Sequence, residues 1–209
     1  MLPLSLDLTQ LRLALIGTGA AAARRLAWLD EAGAASVIVF SAAPSPELAH
    51  VADTRLMPHW PQSSELAGIH LAFIVDPPEA LRGALAAAAR AACAIVHVED
   101  APMLCDVHAP AVLRRGDLTI AISTNGAAPG LAAELRQFLG GILGPEWQGR
   151  VDELKALRQR WRRAGAGHDT VRRLTAARLI RHGWLNKGRG TAANDRGKAI
   201  TERGGGSCR

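Results

Sequence analysis

Short apolar runs alternate with alanine-rich segments along the first hundred residues. The runs predict strands at 12–16, 36–40, 70–75 and 94–98. Two helices are indicated between them, one from the turn after the first strand to Gly33 and one from Pro77 to about Ala92. Strands that are apolar throughout and separated by helices are typical of a parallel sheet covered on both faces. The first half is therefore predicted to be an α/β domain.

The pattern changes after Pro110. Residues 111–115 and 118–123 flank Gly116-Asp117, which predicts a hairpin with a tight turn. An amphipathic helix is indicated next by helical spacing of Leu131, Leu135, Phe138, Leu139 and Ile142. Two basic helices should follow, one carrying Val151, Leu154, Leu157 and Trp161 and the other Val171, Leu174, Ala177 and Trp184. Residues 186–209 are polar and glycine-rich, so we expect a disordered tail.

Composition narrows the class of protein. The 209 residues are 48% hydrophobic and 21% charged, which is compatible with a packed core and excludes wholesale disorder. No apolar run approaches the roughly 18 residues that a membrane span requires, and the first residues do not resemble a secretory signal. The three cysteines, Cys93, Cys105 and Cys208, are odd in number and widely spaced. We therefore expect no disulfide framework, no structural zinc site, no membrane partner and a cytoplasmic location.

Charge is divided unevenly along the chain. Residues 1–149 hold nine lysines and arginines against 14 acidic residues, a net charge of −5. Residues 150–209 hold 16 basic residues against five acidic ones, a net charge of +11. A basic half can bind nucleic acid, anionic lipid or a polyanionic small molecule, or can simply be a solvated arginine-rich helical face. Charge alone does not choose among these.

The loop after the first strand fits the dinucleotide fingerprint G-x-G-x-x-G/A, with the sequence Gly17-Thr18-Gly19-Ala20-Ala21-Ala22. Its first glycine permits a tight turn, its second lets a pyrophosphate approach the backbone, and the helix N-terminus favours the anion. The second strand ends without the usual carboxylate for a ribose hydroxyl, and no arginine follows it to hold a 2′-phosphate. The residues thus leave the choice between NAD and NADP open.

Two further segments carry candidate chemistry. Asp100 follows the strand that contains His97, at the sheet edge where ligands bind in open α/β sheets, so it is a candidate general base or a turn residue. Glu99 should share a strand face with His97 instead. The turn Ser123–Pro129 could hold a substrate carboxylate at the N-terminus of the amphipathic helix, or serve as its cap. His97 and His108 are more typical of hydrogen-bonded structural residues than of metal ligands, so no metal site is assigned.

Together and in order, these segments resemble the precorrin-2 dehydrogenase/sirohydrochlorin ferrochelatase family, which includes the N-terminal module of siroheme synthases. Leu2-Pro3-Leu4, GTGAAAARR (17–25) and DEAGA (30–34) are similar to that family's opening LP…GGGxVAxRK…LEAGA. The stretch 97–136 is similar to its central motifs, a strand with a terminal aspartate followed by CDF-x-x-PA, RG-x-L-x-IAIST-G-G-x-SP and LA-x-x-LR. HDTVRRL (168–174) resembles the paired arginines of its C-terminal segment. The resemblance covers about residues 2–184.

The resemblance implies a Rossmann domain, a dimerisation element and a small helical domain in a homodimer. We accordingly divide the chain into an NAD-binding domain (1–112), a dimerisation hairpin and helix (113–146), a basic helical domain (147–185) and the tail. It implies oxidation of precorrin-2 to sirohydrochlorin with NAD⁺, followed in some members by Fe²⁺ insertion. Asp100 matches the family's essential aspartate. The implied cofactor contacts are Gly17, Thr18, Gly19, Ala20, Ala21, Ser41, Ala42, Ala43 and Val75, and the implied substrate contacts are Thr124, Asn125 and Gly126.

Several positions depart from the family pattern. His97 replaces an asparagine, Glu99 is an added acidic residue, and Val75-Asp76-Pro77 replaces A-T-D. Arg82 replaces a nearby asparagine, and Asn125 and Ala128 replace a glycine and a serine. These changes leave open a non-catalytic or specialised tetrapyrrole-binding or delivery protein on the same scaffold. A nucleic-acid-binding appendage at 150–209 is a further alternative, against which stand two tryptophans at helical core spacing and no nucleic-acid motif.

Overall fold

A computed structural model describes residues 2–185, so the predicted tail and Cys208 lie outside the described residues. Three short 3₁₀ turns, Leu8–Gln10, Asp53–Arg55 and Pro102–Leu104, accompany the longer elements. In chain order these are β1 (Arg12–Gly17), α1 (Ala20–Glu31), β2 (Ser36–Phe40), α2 (Pro46–Ala52), β3 (Leu56–Met57), β4 (Leu71–Val75), α3 (Glu79–Ala91), β5 (Ile95–Val98), β6 (Ala111–Arg115), β7 (Leu118–Ile122), α4 (Pro129–Ile142), α5 (Trp147–Arg163) and α6 (His168–Arg181).

The first five strands form one parallel sheet in the order β3-β2-β1-β4-β5. The predicted parallel α/β domain is therefore confirmed. Successive connections run in opposite directions from β1, since β2 lies on one side of it and β4 on the other. Ligands bind in such sheets in the crevice at the carboxyl ends of the strands where this reversal occurs. Here that crevice lies beside Gly17 and Val75, which pair at the ends of β1 and β4.

Both faces of the sheet are buried, which explains why its strands are apolar throughout. One face packs Leu13, Leu15 and Phe73 against α1 and α2. The opposite face packs Ile16, Ile74 and Val96 against α3 and the segment before β4. Each fully buried leucine or isoleucine removes enough apolar surface to contribute about 1.5–3 kcal/mol. The strand ends are consequently well positioned to carry a functional site.

The chain divides into two compact units, residues 1–111 with 121–134, and residues 112–120 with the chain from 135 onward. The predicted hairpin is present as β6 and β7, which pair around Gly116-Asp117, and Gly116 takes the positive φ that this turn requires. The hairpin and α4 each contribute residues to both units. The four-part division proposed from the sequence stays a prediction.

Aromatic and arginine side chains organise the second unit. The buried Trp147 ring lies 6.5 Å from that of Trp184, and the Arg150 guanidinium covers both rings at 4.9 and 5.4 Å. Arg178 forms an ion pair with Glu153 between α6 and α5. The sequence pattern placed Trp184 inside the last helix, but α6 ends at Arg181 and Trp184 lies in the turn that follows. Within residues 2–185, no helix is long and apolar enough to cross a bilayer.

Candidate functional site

The Gly17–Gly19 loop connects β1 to α1 under close steric constraint. A Cβ atom at Gly17 would collide with the carbonyl oxygen of Val75 and would lie 3.1 Å from the Cβ of Ala22. The Thr18 hydroxyl donates a hydrogen bond to the carbonyl of Asp76 at 2.9 Å. The backbone carbonyl of Thr18 accepts another from the amide of Ser45 at 2.8 Å. The loop is thus held both to β4 and to the segment after β2.

Gly19 is the N-cap of α1, and among the described residues no side chain caps this helix. The first amide groups of an α-helix lack intrahelical acceptors, so they can bind an anion. A Cβ at Gly19 would lie 2.7 Å from a carboxylate oxygen of Asp76, so any side chain at this position would crowd the space next to the loop backbone. The residues present therefore fit the pyrophosphate of NAD(P), and Gly19, Ala20 and Ala21 would hold it.

The other predicted cofactor residues differ in accessibility. Ala42 and Ala43 are exposed after β2, where small side chains leave room for an adenosine ribose. Ser41 and Val75 are fully buried, so neither presents surface to a ligand in this structure. The buried Ser41 hydroxyl has no hydrogen-bond partner among residues 2–185.

A cleft of about 330 Å³ lies at the carboxyl end of β5, wholly within the first unit. Its walls come from the end of β5, from the segment 100–111 and from the turn between β7 and α4. Of the residues predicted from the sequence, the cleft brings together Asp100, Thr124 and Gly126. Asn125 is exposed and does not line it.

Asp100 stands at the point where the chain turns away from the sheet. Its φ is +58°, a left-handed conformation that aspartate tolerates better than most residues. Ala101 closes the turn by donating its amide proton to the carbonyl of Val98 at 3.4 Å. The side chain of Asp100 is exposed at the cleft, where it can accept a proton from a bound molecule.

The turn before α4 performs the capping role that its sequence allowed. The Thr124 hydroxyl oxygen accepts the amide proton of Ala128 at 3.1 Å, and the Ser123 hydroxyl accepts that of Asn125 at 3.1 Å. Asn125 and Gly126 both take positive φ values, 53° and 81°. Capping uses only an acceptor site of the Thr124 hydroxyl, so its proton remains available to a ligand in the cleft.

An ion pair closes one side of the cleft. The Arg25 guanidinium donates to a carboxylate oxygen of Glu99 at 3.2 Å. Its carbon lies 5.2 Å from the centre of the Trp28 ring and 5.6 Å from that of Phe73. Cation–π contacts of this kind stabilise a guanidinium that has lost part of its hydration. A second cavity of about 240 Å³ extends from Arg25 and Glu99 to Ala21 of the fingerprint loop.

His97 also lines the cleft, next to this ion pair. One ring nitrogen, Nδ1, lies 3.0 Å from the carbonyl oxygen of Val107, and the ring lies 5.4 Å from that of Phe73. Burial lowers the pKa of His97, and the hydrogen bond to Val107 only partly opposes this effect. In residues 2–185 no three histidine, cysteine or acidic side chains are grouped so that they could hold a metal ion.

Two family models match the chain. The family described as "Putative NAD(P)-binding" matches residues 4–111, and the family "Sirohaem biosynthesis protein central" matches residues 115–140. The first match covers more than half of the chain. The chain belongs to this NAD(P)-binding family. The two matches in this order identify it as the N-terminal module of the siroheme synthase type.

Curated relatives support that assignment. The siroheme synthase of Methylococcus capsulatus is 33% identical over 195 residues, which cover 92% of this chain and 39% of that protein. Siroheme synthase 2 of Yersinia pestis is 32% identical, over 77% of this chain and 34% of that protein. The chain thus spans about two fifths or less of the length of these relatives. The solved structure of SirC, a precorrin-2 dehydrogenase, has a TM-score of 0.67 over 90% of this chain and 98% of its own, and at 19% identity it shows a shared fold.

One contact at the cleft of this siroheme-synthase-type module does not follow from the sequence pattern. Arg25 belongs to the GTGAAAARR motif, but its contact with Glu99 bridges 74 residues of sequence. Strand alternation predicts that Glu99 lies with His97 and away from Asp100, but β5 ends at Val98 and all three residues line the same cleft. One signal in the sequence could have indicated this contact: Glu99 and His97 both stand at positions that depart from the family pattern.

Proposed function

We propose that this chain oxidises precorrin-2 to sirohydrochlorin with NAD⁺ as the hydride acceptor. The support for NAD⁺ over NADP⁺ comes from the segment after β2, where Ala42 and Ala43 offer no cationic side chain for a 2′-phosphate. A bound nicotinamide supplies the electron-pair acceptor. All remaining tasks, namely holding the substrate, orienting it and accepting its proton, fall to side chains of this protein.

One observation carries the proposal: Asp100, Thr124 and Gly126 line the same cleft, at the carboxyl edge of the sheet that bears the fingerprint loop. Asp100 acts as the general base, because a proton must leave the substrate together with the hydride. Thr124 and Gly126, which line the cleft, hold substrate carboxylates near the N-terminus of α4, where helix amides favour negative charge, and Asn125 lies between them with its side chain outside the cleft. The net charge of +11 on residues 150–209 raises the local concentration of this polycarboxylate.

The proposal includes a homodimer. On α4, the exposed apolar residues Leu131, Leu135, Phe138 and Ile142 recur every three or four positions and so form one stripe. A contiguous stripe of this kind is typical of an association surface, and a second copy of the chain can cover it symmetrically. Insertion of Fe²⁺ into the product is a further part of the proposed activity, with the metal as a substrate.

The test compares Asp100→Asn with the wild type. The substitution keeps the shape of the side chain and removes its basicity, so NAD⁺ binding should persist while the rate of NADH formation falls about 100-fold or more. The matched control is Asp53→Asn, since Asp53 also has a positive φ but lies after α2. This control should retain wild-type turnover.

Other outcomes would overturn the assignment. Equal turnover in the wild type and Asp100→Asn would remove Asp100 from the mechanism. Binding of precorrin-2 without any NADH formation by the wild type would favour the non-catalytic binding or delivery protein. Calorimetry that detects neither NAD⁺ nor NADP⁺ binding would exclude a dehydrogenase.

A further inference from the structure

The second cavity, of about 240 Å³, adjoins the cleft that contains Asp100, here called the Asp100 cleft. It is lined by Ala21, Arg24, Arg25, Trp28 and Glu99. All five residues belong to the first unit, and Arg25 and Glu99 also line the Asp100 cleft, so the two spaces share one wall. Sites that hold a whole small ligand measure about 300–1,000 Å³, so the second cavity suits one substituent of a larger molecule.

One face of α1 supplies four of these side chains, at positions 21, 24, 25 and 28. Side chains three and four residues apart are neighbours on a helix, so the four project from one side of it. Ala21 contributes only a methyl group, while the Trp28 ring lies against the Arg25 guanidinium at 5.2 Å. The guanidinium groups of Arg24 and Arg25 are therefore presented to the same small space.

Arg24 is exposed, and within residues 2–185 it has no acidic partner and no side-chain hydrogen bond. Other arginines of the first unit do form ion pairs, namely Arg25, Arg55, Arg82 and Arg90. A guanidinium carries five N–H donors in a planar fork that matches a carboxylate through two parallel hydrogen bonds. The fork of Arg24 is thus free to bind an anion.

Arg25 is held in place but keeps donors to spare. It gives one N–H, at Nη2, to Oε1 of Glu99. Among the described residues its Nε and Nη1 have no hydrogen-bond partner, and neither atom is fully buried. The second oxygen of Glu99, Oε2, has essentially no accessible surface. With two guanidiniums and one carboxylate that is already paired, the cavity carries a net charge of +1 and favours an anion.

We propose that the second cavity is a subsite for one carboxylate side chain of the tetrapyrrole, and that Arg24 is the residue that binds it. The identity of this ligand rests on the proposed function. The macrocycle lies in the Asp100 cleft, and one acidic substituent reaches past Arg25 to the fork of Arg24. Because this contact lies on one side of the cleft, it fixes which edge of the ring faces Asp100.

A phosphate of the cofactor is the other anion expected near α1. Of the fingerprint loop, only Ala21 lines the second cavity, whereas the cavity shares both Arg25 and Glu99 with the Asp100 cleft. The free amide groups that suit a pyrophosphate lie at the first turn of α1, and Arg24 lies beyond that turn. These placements favour the substrate carboxylate, and binding measurements with the two ligands separate the alternatives.

The experiment measures the binding of sirohydrochlorin and, separately, of NAD⁺ by calorimetry. Arg24→Gln should raise the Kd of sirohydrochlorin about tenfold or more, because a charge-assisted two-point contact is lost. Arg24→Lys, which keeps the charge but not the fork, should restore only part of the affinity. The matched control is Arg12→Gln, since Arg12 is also exposed but begins β1 at the opposite edge of the sheet. This control should change the Kd by less than about twofold, and NAD⁺ affinity should change by less than about twofold in every variant.

Two results would overturn the subsite. One is an equal sirohydrochlorin affinity in Arg24→Gln and Arg12→Gln. The other is a loss of NAD⁺ affinity in Arg24→Gln as large as its loss of sirohydrochlorin affinity, because Arg24 would then hold a cofactor phosphate.

The proposed function fails on different evidence. A wild type that binds sirohydrochlorin but forms no NADH from precorrin-2 would refute the oxidation, and the comparison of Arg24→Gln with Arg12→Gln would still confirm or overturn the subsite. A wild type that binds no sirohydrochlorin would overturn both.

Discussion

Replacing either of two glycines of the fingerprint loop by alanine should have different effects on stability and on NAD⁺ binding. In Gly17→Ala the new Cβ meets the Val75 carbonyl oxygen, which belongs to a central strand and cannot move without breaking the β1–β4 ladder. Overpacking of this kind costs about 1–3 kcal/mol. For a chain of this size each kcal/mol lowers Tm by about 2–4 °C, so a loss of about 1–3 kcal/mol should lower Tm by about 2–12 °C.

In Gly19→Ala the new Cβ meets only the carboxylate of Asp76, the end of an exposed side chain that can rotate away. The backbone at Gly19 is extended, a conformation that alanine adopts freely. Stability should therefore change by no more than about 0.5 kcal/mol. The methyl group would nevertheless occupy the space that a pyrophosphate needs, so NAD⁺ affinity should fall about tenfold or more.

Thermal unfolding followed by circular dichroism and NAD⁺ binding measured by calorimetry separate the two effects. Gly19→Ala should bind NAD⁺ poorly while keeping the Tm of the wild type, whereas Gly17→Ala should have both a lower Tm and a lower NAD⁺ affinity. If Gly19→Ala bound NAD⁺ with wild-type affinity, the pyrophosphate would not lie on this loop. If Gly17→Ala kept the wild-type Tm, the predicted collision with Val75 would be wrong.

Three other expectations follow from the same structure. Asp76→Asn should tighten NAD⁺ binding about threefold to fivefold in calorimetry, because a carboxylate beside Gly19 repels the pyrophosphate, and unchanged affinity would contradict this. Phe138→Glu should weaken self-association at least about tenfold in light scattering. The control Ala133→Glu, on the opposite side of α4, should leave self-association unchanged. Equal effects of the two variants would exclude the apolar stripe as the interface. The pKa of His97 is lower in the folded state than in the unfolded one, so its contribution to stability is present above about pH 6.5 and is lost as pH falls. The free energy of unfolding measured in urea should therefore depend less on pH in His97→Asn than in the wild type over this range.

Four of the five sheet strands, β1, β2, β4 and β5, could be predicted from sequence because each is a short apolar run bounded by glycine, proline or polar residues. The sequence pattern did not predict helix α2, although Ser45-Pro46-Glu47 is a typical helix start. In the structure the Ser45 hydroxyl accepts the amide proton of Leu48 at 3.2 Å and so caps the helix. Its seven residues are too few for a clear helical period. Strand β3 has only two residues, so it owes its existence to pairing with β2 and leaves no pattern of its own.

The candidate site was predictable only where local chain geometry determines it. Asp100 and the Thr124–Gly126 turn sit at element boundaries, so their positions follow from where β5 ends and α4 begins. The burial of Ser41 and Val75 depends on neighbouring strands instead, and a one-dimensional pattern does not show which end-of-strand residues remain accessible. The contact between Trp147 at the start of α5 and Trp184 in the turn after α6 likewise depends on tertiary packing.

Arg25, from the fingerprint segment, lies at the cleft wall with His97 and Glu99, two residues that depart from the family pattern. A glutamate at this position alone would bring a carboxylate to a partly buried wall, where loss of hydration disfavours its charged form. Arg25 offsets that cost, and its planar guanidinium can stack between Trp28 and Phe73, as a lysine ammonium cannot. The ion pair uses one oxygen of Glu99, and the other is buried and has no donor among residues 2–185. His97, whose ring is bonded to the Val107 carbonyl and packed against Phe73, lines the same cleft, so Arg25, Glu99 and His97 together determine the shape and polarity of this wall.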